Sequence, residues 1–218
     1  MKKIVSFIAA VILGISSVAS AEPVNTSGSV TIGSHYIDKG TVQYNGKAFT
    51  EFDGSAQYKA LTASVAFRSD MAGAGFKDIE GAIDAVLTDN LSAGVKTYSL
   101  ANVNATQDVD VHANAKYGIA RVYVENQLHG SKSGSSYIEG SVIVPAFGAK
   151  VNAGLGAANK AFVNSASGNL RVCNEFVGVT VPVTDKIDLG GMAVYNHVVN
   201  STFDGSAINY VASASVKF

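Results

Sequence analysis

The stretch AINYVASASVKF (residues 207–218) closes the chain, and every second residue counting back from Phe218 is apolar. A β-strand sends alternate side chains to opposite faces, so this segment has an apolar face and a polar face. A soluble domain seldom ends on such a strand, because an exposed strand edge invites aggregation. The pattern therefore predicts a strand that pairs with the first strand and closes a barrel in a membrane, with Phe218 at the membrane interface.

The other end of the sequence indicates export. Two lysines precede an apolar run over residues 4–18, and Ala19 and Ala21 then place small residues at the two positions that a signal peptidase reads. The run is shorter than the roughly twenty apolar residues of a spanning helix. We predict a cleaved signal peptide over residues 1–21, export through the periplasm, and a single barrel domain over residues 22–218.

Composition excludes several classes of protein. Only 15% of the 218 residues are charged and the mean hydropathy is +0.21, yet no segment after the signal peptide is apolar for the roughly eighteen residues of a membrane helix. The net charge of -1 offers no basic surface for nucleic acid. Cys173 is the only cysteine, so no intramolecular disulfide can form. We expect no cofactor and no metal ion.

Alternating segments recur along the chain in pairs joined by short turns. The pairs are 52–58 with 61–67, 79–87 with 91–95, 109–117 with 120–124, 138–144 with 151–155, and 177–181 with 187–193. A strand near residues 27–36 and the terminal strand bring the total to about twelve, with ten as the fallback. The fold class that we predict is all-β: a single transmembrane, antiparallel, up-and-down β-barrel.

Charged residues lie within the strands, on the face opposite the apolar one. The strands of a soluble sandwich or a lipocalin-like barrel also alternate polar and apolar residues. Such a protein places its large apolar residues inward and many of its charges in loops. We therefore predict that the charged face lines the lumen. The predicted lumen-lining residues are Lys59, Arg68, Glu80, Asp84, Lys96, Asp108, Asp110, His112, Lys116, Arg121, Glu125, Glu139, Lys150, Glu175 and Asp188. Tyr98 and Leu100 also fall on the polar face, unless a bulge shifts the register of their strand.

Two short constellations suggest enzymes. Asp108, Asp110 and His112 share one face of a strand, and this arrangement resembles the acid and His–Asp pairs of outer-membrane proteases or could form a cation site. We favour lumen polarity for them, because no second His–Asp couple appears in another strand. His129-Gly130-Ser131 resembles the His-x-Ser of outer-membrane phospholipases and lipid A deacylases, but His129 continues the polar face of Arg121 and Glu125. No catalytic residue is assigned.

Two segments resemble known families. The terminal strand resembles that of Gram-negative outer-membrane barrels, whose assembly machinery recognises a final strand ending in Phe; Tyr210, Val216 and Phe218 would form this assembly signal. The segment 34–40 resembles the Tyr-x-x-Arg-Gly that opens a family of small, uncharacterised proteobacterial barrels, with Lys39 in place of Arg. These resemblances imply the outer membrane of a Gram-negative bacterium, with outer-membrane lipid and the barrel-assembly machinery as partners.

Three functions remain open. The first is a porin-like passive channel for small hydrophilic solutes or ions, with a weak cation preference that follows from a mild acidic excess in the lumen. The second is a non-conducting surface or structural protein, whose interior is packed with ion pairs and whose extracellular loops bind a partner. The third is a barrel enzyme, either a protease or a lipid hydrolase. We expect the channel, and no enzyme.

Overall fold

The computed structural model describes residues 24–38, 41–42, 47–71, 78–100, 108–130, 133–159, 171–196 and 207–218. The predicted signal peptide, with Ala19 and Ala21, lies outside the described residues. No helix in the described part of the chain is long and apolar enough to cross a membrane. The strands are β1 (Asn25–Gly33), β2 (Ile37–Asp38), β3 (Thr41–Val42), β4 (Phe49–Tyr58), β5 (Leu61–Asp70), β6 (Asp78–Thr88), β7 (Leu91–Leu100), β8 (Asp108–Tyr117), β9 (Ala120–His129), β10 (Ser136–Ala146), β11 (Ala149–Ala158), β12 (Arg171–Pro182), β13 (Ile187–Asn196) and β14 (Ala207–Lys217).

Twelve of these strands form one closed barrel. Each strand from β4 to β14 pairs antiparallel with its neighbour in sequence, and β1 lies between β4 and β14. The closing pair sets Val30 opposite Val216, and the backbones of Gly28 and Phe218 exchange two hydrogen bonds of 3.0 Å. This topology confirms the predicted up-and-down barrel of twelve strands. The small hairpin of β2 and β3 is separate from the wall.

The short turns between strands lie at one end of the barrel. Two-residue turns at 59–60, 89–90, 118–119 and 147–148 join β4 to β5, β6 to β7, β8 to β9 and β10 to β11. The backbone at Phe147 and Gly148 has φ of 51° and 77°, as in the hairpin turns whose twist matches that of the flanking strands. We call this end the turn end and the opposite end the loop end. In bacterial barrels the short turns are periplasmic.

The two faces of the wall differ in burial and in chemistry. Large apolar side chains such as Leu155 (56% exposed) and Val177 (52%) lie on the exposed face, whereas Asp78 (0%) and Glu125 (2%) are buried. In a closed barrel the buried face is the interior, so this protein has most of its charged side chains inside and most of its large apolar side chains outside. That is the reverse of a soluble barrel, and it matches a wall surrounded by lipid. Strands of about ten residues also suit a membrane crossing.

A β-bulge interrupts the alternation of inner and outer residues in β9, just before His129. Asp110 pairs with Gln127, but the next pair joins Val109 to His129, so Leu128 is an extra residue in β9. The prediction that His129 continues the polar face of β9 is therefore wrong, because the bulge breaks the alternation after Gln127. In β7 the pairing with β6 is continuous through Tyr98, which lies opposite Glu80 on the inner face.

Candidate pore lining

Cross-strand pairing fixes which of the predicted lumen residues share the inner face. Arg68 lies opposite Glu51 in β4 and Asp78 in β6, and Lys96 lies opposite Asp110 in β8. The same register carries the inner face around the barrel. The predicted residues that it places there are Arg68, Glu80, Asp84, Lys96, Asp108, Asp110, His112, Lys116, Arg121, Glu125, Glu139, Lys150 and Asp188.

Two predicted lumen residues lie elsewhere. Glu175 pairs with Leu155 in β11 and Tyr195 in β13, both on the exposed outer face. It stands two residues before Val177, so regular alternation carries it outward together with that valine. Lys59 lies in the turn after β4 with a positive φ of 52°, and its Nζ is 5.3 Å from the Tyr58 ring centroid. The prediction is wrong for both residues.

An ionic cluster surrounds Arg68 near the loop end. Arg68 Nε forms an ion pair with Glu51, and Nη1 lies 3.4 Å from Asp78 Oδ1 and 3.3 Å from Glu80 Oε2. Arg68 itself is only 7% exposed. The Arg68 guanidinium therefore contacts three carboxylates. Glu51 and Asp78 were not among the predicted site residues, although alternation from Glu80 and Arg68 was a signal that could have found them.

Aromatic rings cover this cluster. The guanidinium carbon of Arg68 lies 4.8 Å from the centroid of the Tyr36 ring, and that ring packs against Phe49 at a centroid distance of 5.3 Å. Tyr36 follows β1, where Ser34 still bonds the backbone of Ala212 in β14. The segment after β1 therefore bends inward, and it places an aromatic side chain across the loop end of the interior.

A second network lies halfway along the barrel. Lys96 Nζ forms an ion pair with Glu125 and donates a hydrogen bond of 3.3 Å to Tyr123 Oη, which in turn donates to Glu125. Tyr137 continues the network on the next strand. Its hydroxyl lies 2.9 Å from Glu139 Oε2 and 3.2 Å from Asn174 Oδ1, and it can donate to either. The ring centroids of Tyr123 and Tyr137 lie 6.5 Å apart and these rings join the two groups, so the contacts run from β7 to β12 through the interior.

Two inner-face glycines make room for contacts that cross a whole strand. Gly94 lies between Asp84 and His112 in the register, and His112 Nε2 reaches Asp84 Oδ1 at 2.6 Å. A Cβ on Gly94 would meet that carboxylate oxygen at 2.6 Å, which is closer than a real contact allows. Gly156 has the same role beneath the contact of Tyr137 with Asn174. The predicted neighbours of His112 were Asp108 and Asp110, but its partner is Asp84.

Cationic side chains dominate the turn end of the inner face. Lys116 lies directly opposite Arg121, and Lys150 lies one residue inside the turn after β10. Within the described ranges, none of these three forms an ion pair, and the Nε atom of Arg121 is buried without a hydrogen-bond partner. Lys217 differs from them, because it forms an ion pair with Asp188.

A cavity of about 430 Å³, lined by both polar and apolar residues, opens beside β1 and β4 to β6. Its lining runs from Ser27 and Lys217 at the turn end to Arg68 and Glu80. Asp53 also contributes, accepting a hydrogen bond of 3.2 Å from Ser29. The interior thus contains open space as well as ion pairs. In the described part of the chain, no group of three His, Cys, Asp or Glu side chains could hold a metal ion.

Comparison by sequence finds no family model that matches this chain. It also finds no curated protein that matches.

Comparison by structure finds similar barrels. The KdgM porin aligns with a TM-score of 0.51 at 7% identity, over 88% of this chain and 99% of that one. The NanC porin aligns with a TM-score of 0.55 at 12% identity, over 88% of this chain and all of that one (100%). A further KdgM structure, in complex with disordered oligogalacturonate, aligns with a TM-score of 0.52 at 7% identity, over 88% and 99% of the two chains. At these identities the likeness shows the fold.

Proposed function

We propose that this protein is a porin-like channel of a Gram-negative outer membrane, through which small hydrophilic solutes or ions diffuse passively. The observation that carries the proposal is the reversed burial of a closed wall, with Asp78 and Glu125 inside and Leu155 outside. Such a wall is stable only when lipid covers its outer face, and its polar interior can hold water. The similarity of the fold to that of two porins supports the proposal.

Polar groups line the interior from one end to the other. Asp78 and Asp108 begin their strands at the loop end, whereas Lys150 and Lys217 lie at the turn end. The cavity beside Asp53 adds Ser29, Ser55 and Ser64 to these polar groups along one side of the barrel. A solute can therefore exchange contacts with water for contacts with side chains over the whole crossing.

The charge balance favours cations. Among the inner-face side chains that the structure describes, carboxylates outnumber cations. The carboxylates are Glu51, Asp53, Asp70, Asp78, Glu80, Asp84, Asp108, Asp110, Glu125, Glu139 and Asp188, and the cations are Arg68, Lys96, Lys116, Arg121, Lys150 and Lys217. A negative lumen concentrates mobile cations and excludes anions. We therefore propose a weak cation preference.

The outer surface supports a proposal for the location and the partners of this protein. Tyr210 and Phe218 are largely exposed on the outer face of β14, in line with Val216. We propose that these three residues are the signal read by the barrel-assembly machinery, after export directed by residues 1–21. Outer-membrane lipid would then cover the apolar band.

The first experiment is planar-bilayer conductance of the refolded chain, residues 22–218, with the reversal potential measured under a salt gradient. Steady current steps with a cation preference are expected. Silence from protein shown to be folded would contradict the channel and favour a non-conducting barrel, whose interior is filled by the networks of Arg68 and Lys96. The variant Lys59→Gln should leave the reversal potential unchanged, because Lys59 lies in the turn between β4 and β5.

A further inference from the structure

A groove of about 410 Å³ crosses the outer face of the barrel over β8, β9 and β10. Its volume lies within the roughly 300–1,000 Å³ that small-molecule sites occupy. The register sets two rows of outer-face side chains along it. The row nearer the turn end is Ala113, Val124 and Ile138, and the row nearer the loop end is Val111, Asn126 and Ser136.

The row nearer the turn end is apolar and uneven. Val124 and Ile138 are 40% and 41% exposed, whereas Ala113 beside them is half-buried. An alanine side chain ends at Cβ, so Ala113 leaves a depression in the wall. Lipid covers this face of a membrane barrel. A hydrocarbon chain is the natural filling of such a depression, because an empty gap loses dispersion contacts on one side.

The row nearer the loop end contains two polar side chains that bond each other. Asn126 Nδ2 donates a hydrogen bond of 2.8 Å to Ser136 Oγ, and within the described residues neither side chain makes another. An amide nitrogen has two hydrogens and a hydroxyl has one, so each side chain keeps a hydrogen to donate. Hydrocarbon offers no acceptor for these hydrogens. An acceptor on a lipid would satisfy them.

The polar row lies where such an acceptor is expected. Ser136 begins β10 and Ala146 ends it at the turn end. At about 3.4 Å per residue and a strand tilt of about 40°, Ser136 stands roughly 26 Å above Ala146 along the membrane normal. The apolar band of such barrels is about 25 Å tall. Ser136 therefore lies at the edge of the hydrocarbon, where ester or amide carbonyls join the acyl chains of lipids to their headgroups.

We propose that this groove is a lipid site, which binds one acyl chain of a lipid in the leaflet at the loop end. The carbonyl that links the chain to its headgroup accepts hydrogen bonds from Asn126 and Ser136. The chain runs from there over Val124, into the depression at Ala113, toward the middle of the membrane. The direction is that of a lipid in the outer leaflet, since the short turns of bacterial barrels are periplasmic. The site depends on the lipid-covered wall and is independent of whether the pore conducts.

The test is photolabelling of the refolded chain, residues 22–218, in phosphatidylcholine vesicles. A small fraction of the phosphatidylcholine has a diazirine midway along one acyl chain, and mass spectrometry of peptides locates the labelled residues. Val124 and Ile138 are expected to be labelled at least about threefold more than Val177 and Leu189, as for a chain held by one hydrogen bond or more. The latter two are equally exposed on the opposite side of the wall, at 52% and 49%.

Two variants remove different parts of the site. Asn126→Leu/Ser136→Ala takes away the hydrogen-bond donors, and Ala113→Leu fills the depression. In each, labelling of the groove should fall to that of the opposite side. Ala193→Leu is the matched control, because it makes the same enlargement on the outer face of β13, where Ala193 pairs with Val177. Labelling of the groove should persist in it.

Three results would overturn the proposal. The first is equal labelling of the groove and of Val177 in the native protein. The second is an excess in the groove that survives in Asn126→Leu/Ser136→Ala, since the carbonyl would then have no part in binding. The third is weaker labelling of the groove than of Val177, which would mean that a second copy of the chain covers it.

Discussion

His112 hydrogen-bonds Asp84 across the full width of β7, with 2.6 Å between Nε2 and Oδ1. The contact exists because the residue between them in the register is Gly94, which has no side chain to fill the space. Three neighbouring strands are thereby tied together inside the barrel by one polar contact. Burial makes such a contact costly to break.

Replacing Gly94 with alanine tests this arrangement. The added Cβ would meet Asp84 Oδ1 and the backbone oxygen of Ile83, so we expect the free energy of unfolding to fall by about 1–3 kcal/mol. Urea unfolding in detergent micelles measures it. The matched control is Gly140→Ala, because a Cβ there meets nothing within 4 Å. Equal effects of the two substitutions would contradict the role of Gly94.

Arg68→Gln should be among the most destabilising single changes in the wall. It leaves Glu51, Asp78 and Glu80 without their shared cation, and breaking a buried ion pair typically costs about 3–5 kcal/mol. Urea unfolding should show the loss, and the second substitution Glu80→Gln should recover part of it. If the double variant is no more stable than Arg68→Gln, repulsion among the carboxylates does not explain the loss.

Tyr36→Ala should widen the loop end. The ring of Tyr36 lies over Arg68 and against Phe49, so its removal takes an aromatic side chain out of the interior. Single-channel conductance should rise above that of the native protein. Tyr117→Ala makes the same change at an exposed position at the other end of the wall and should leave conductance as it was. An unchanged conductance in Tyr36→Ala would show that this ring does not narrow the pore.

Glu175→Leu should not destabilise the barrel. A carboxylate on the lipid face costs stability, so its replacement by an apolar side chain should raise the free energy of unfolding by about 0.5–1 kcal/mol. Asp188→Leu is the contrast, since it removes the ion pair with Lys217 on the inner face and should lower stability. A loss in Glu175→Leu would mean that this carboxylate has a stabilising partner at the outer surface. Unfolding titrations of both variants decide between these results.

Local alternation was enough to predict most of the fold. The alternation of polar and apolar residues predicted about twelve strands and their short turns. It also placed Lys96, Asp110 and Glu125 on a common face. Glu175 was predicted to line the lumen because it is charged. Its spacing of two residues from Val177 already indicated the outer face. The bulge at Leu128 has no signal in the sequence, since alternation continues past it, and it moved His129 out of the predicted pattern.

The sequence by itself determined which side chains alternate, because the two faces of a strand are set by spacing along the chain. Only the tertiary structure decided which of the inner charges meet. His112 pairs with Asp84, 28 positions away, and Arg68 with three carboxylates on two other strands. These partners depend on register, on stagger between strands and on the gap left by Gly94.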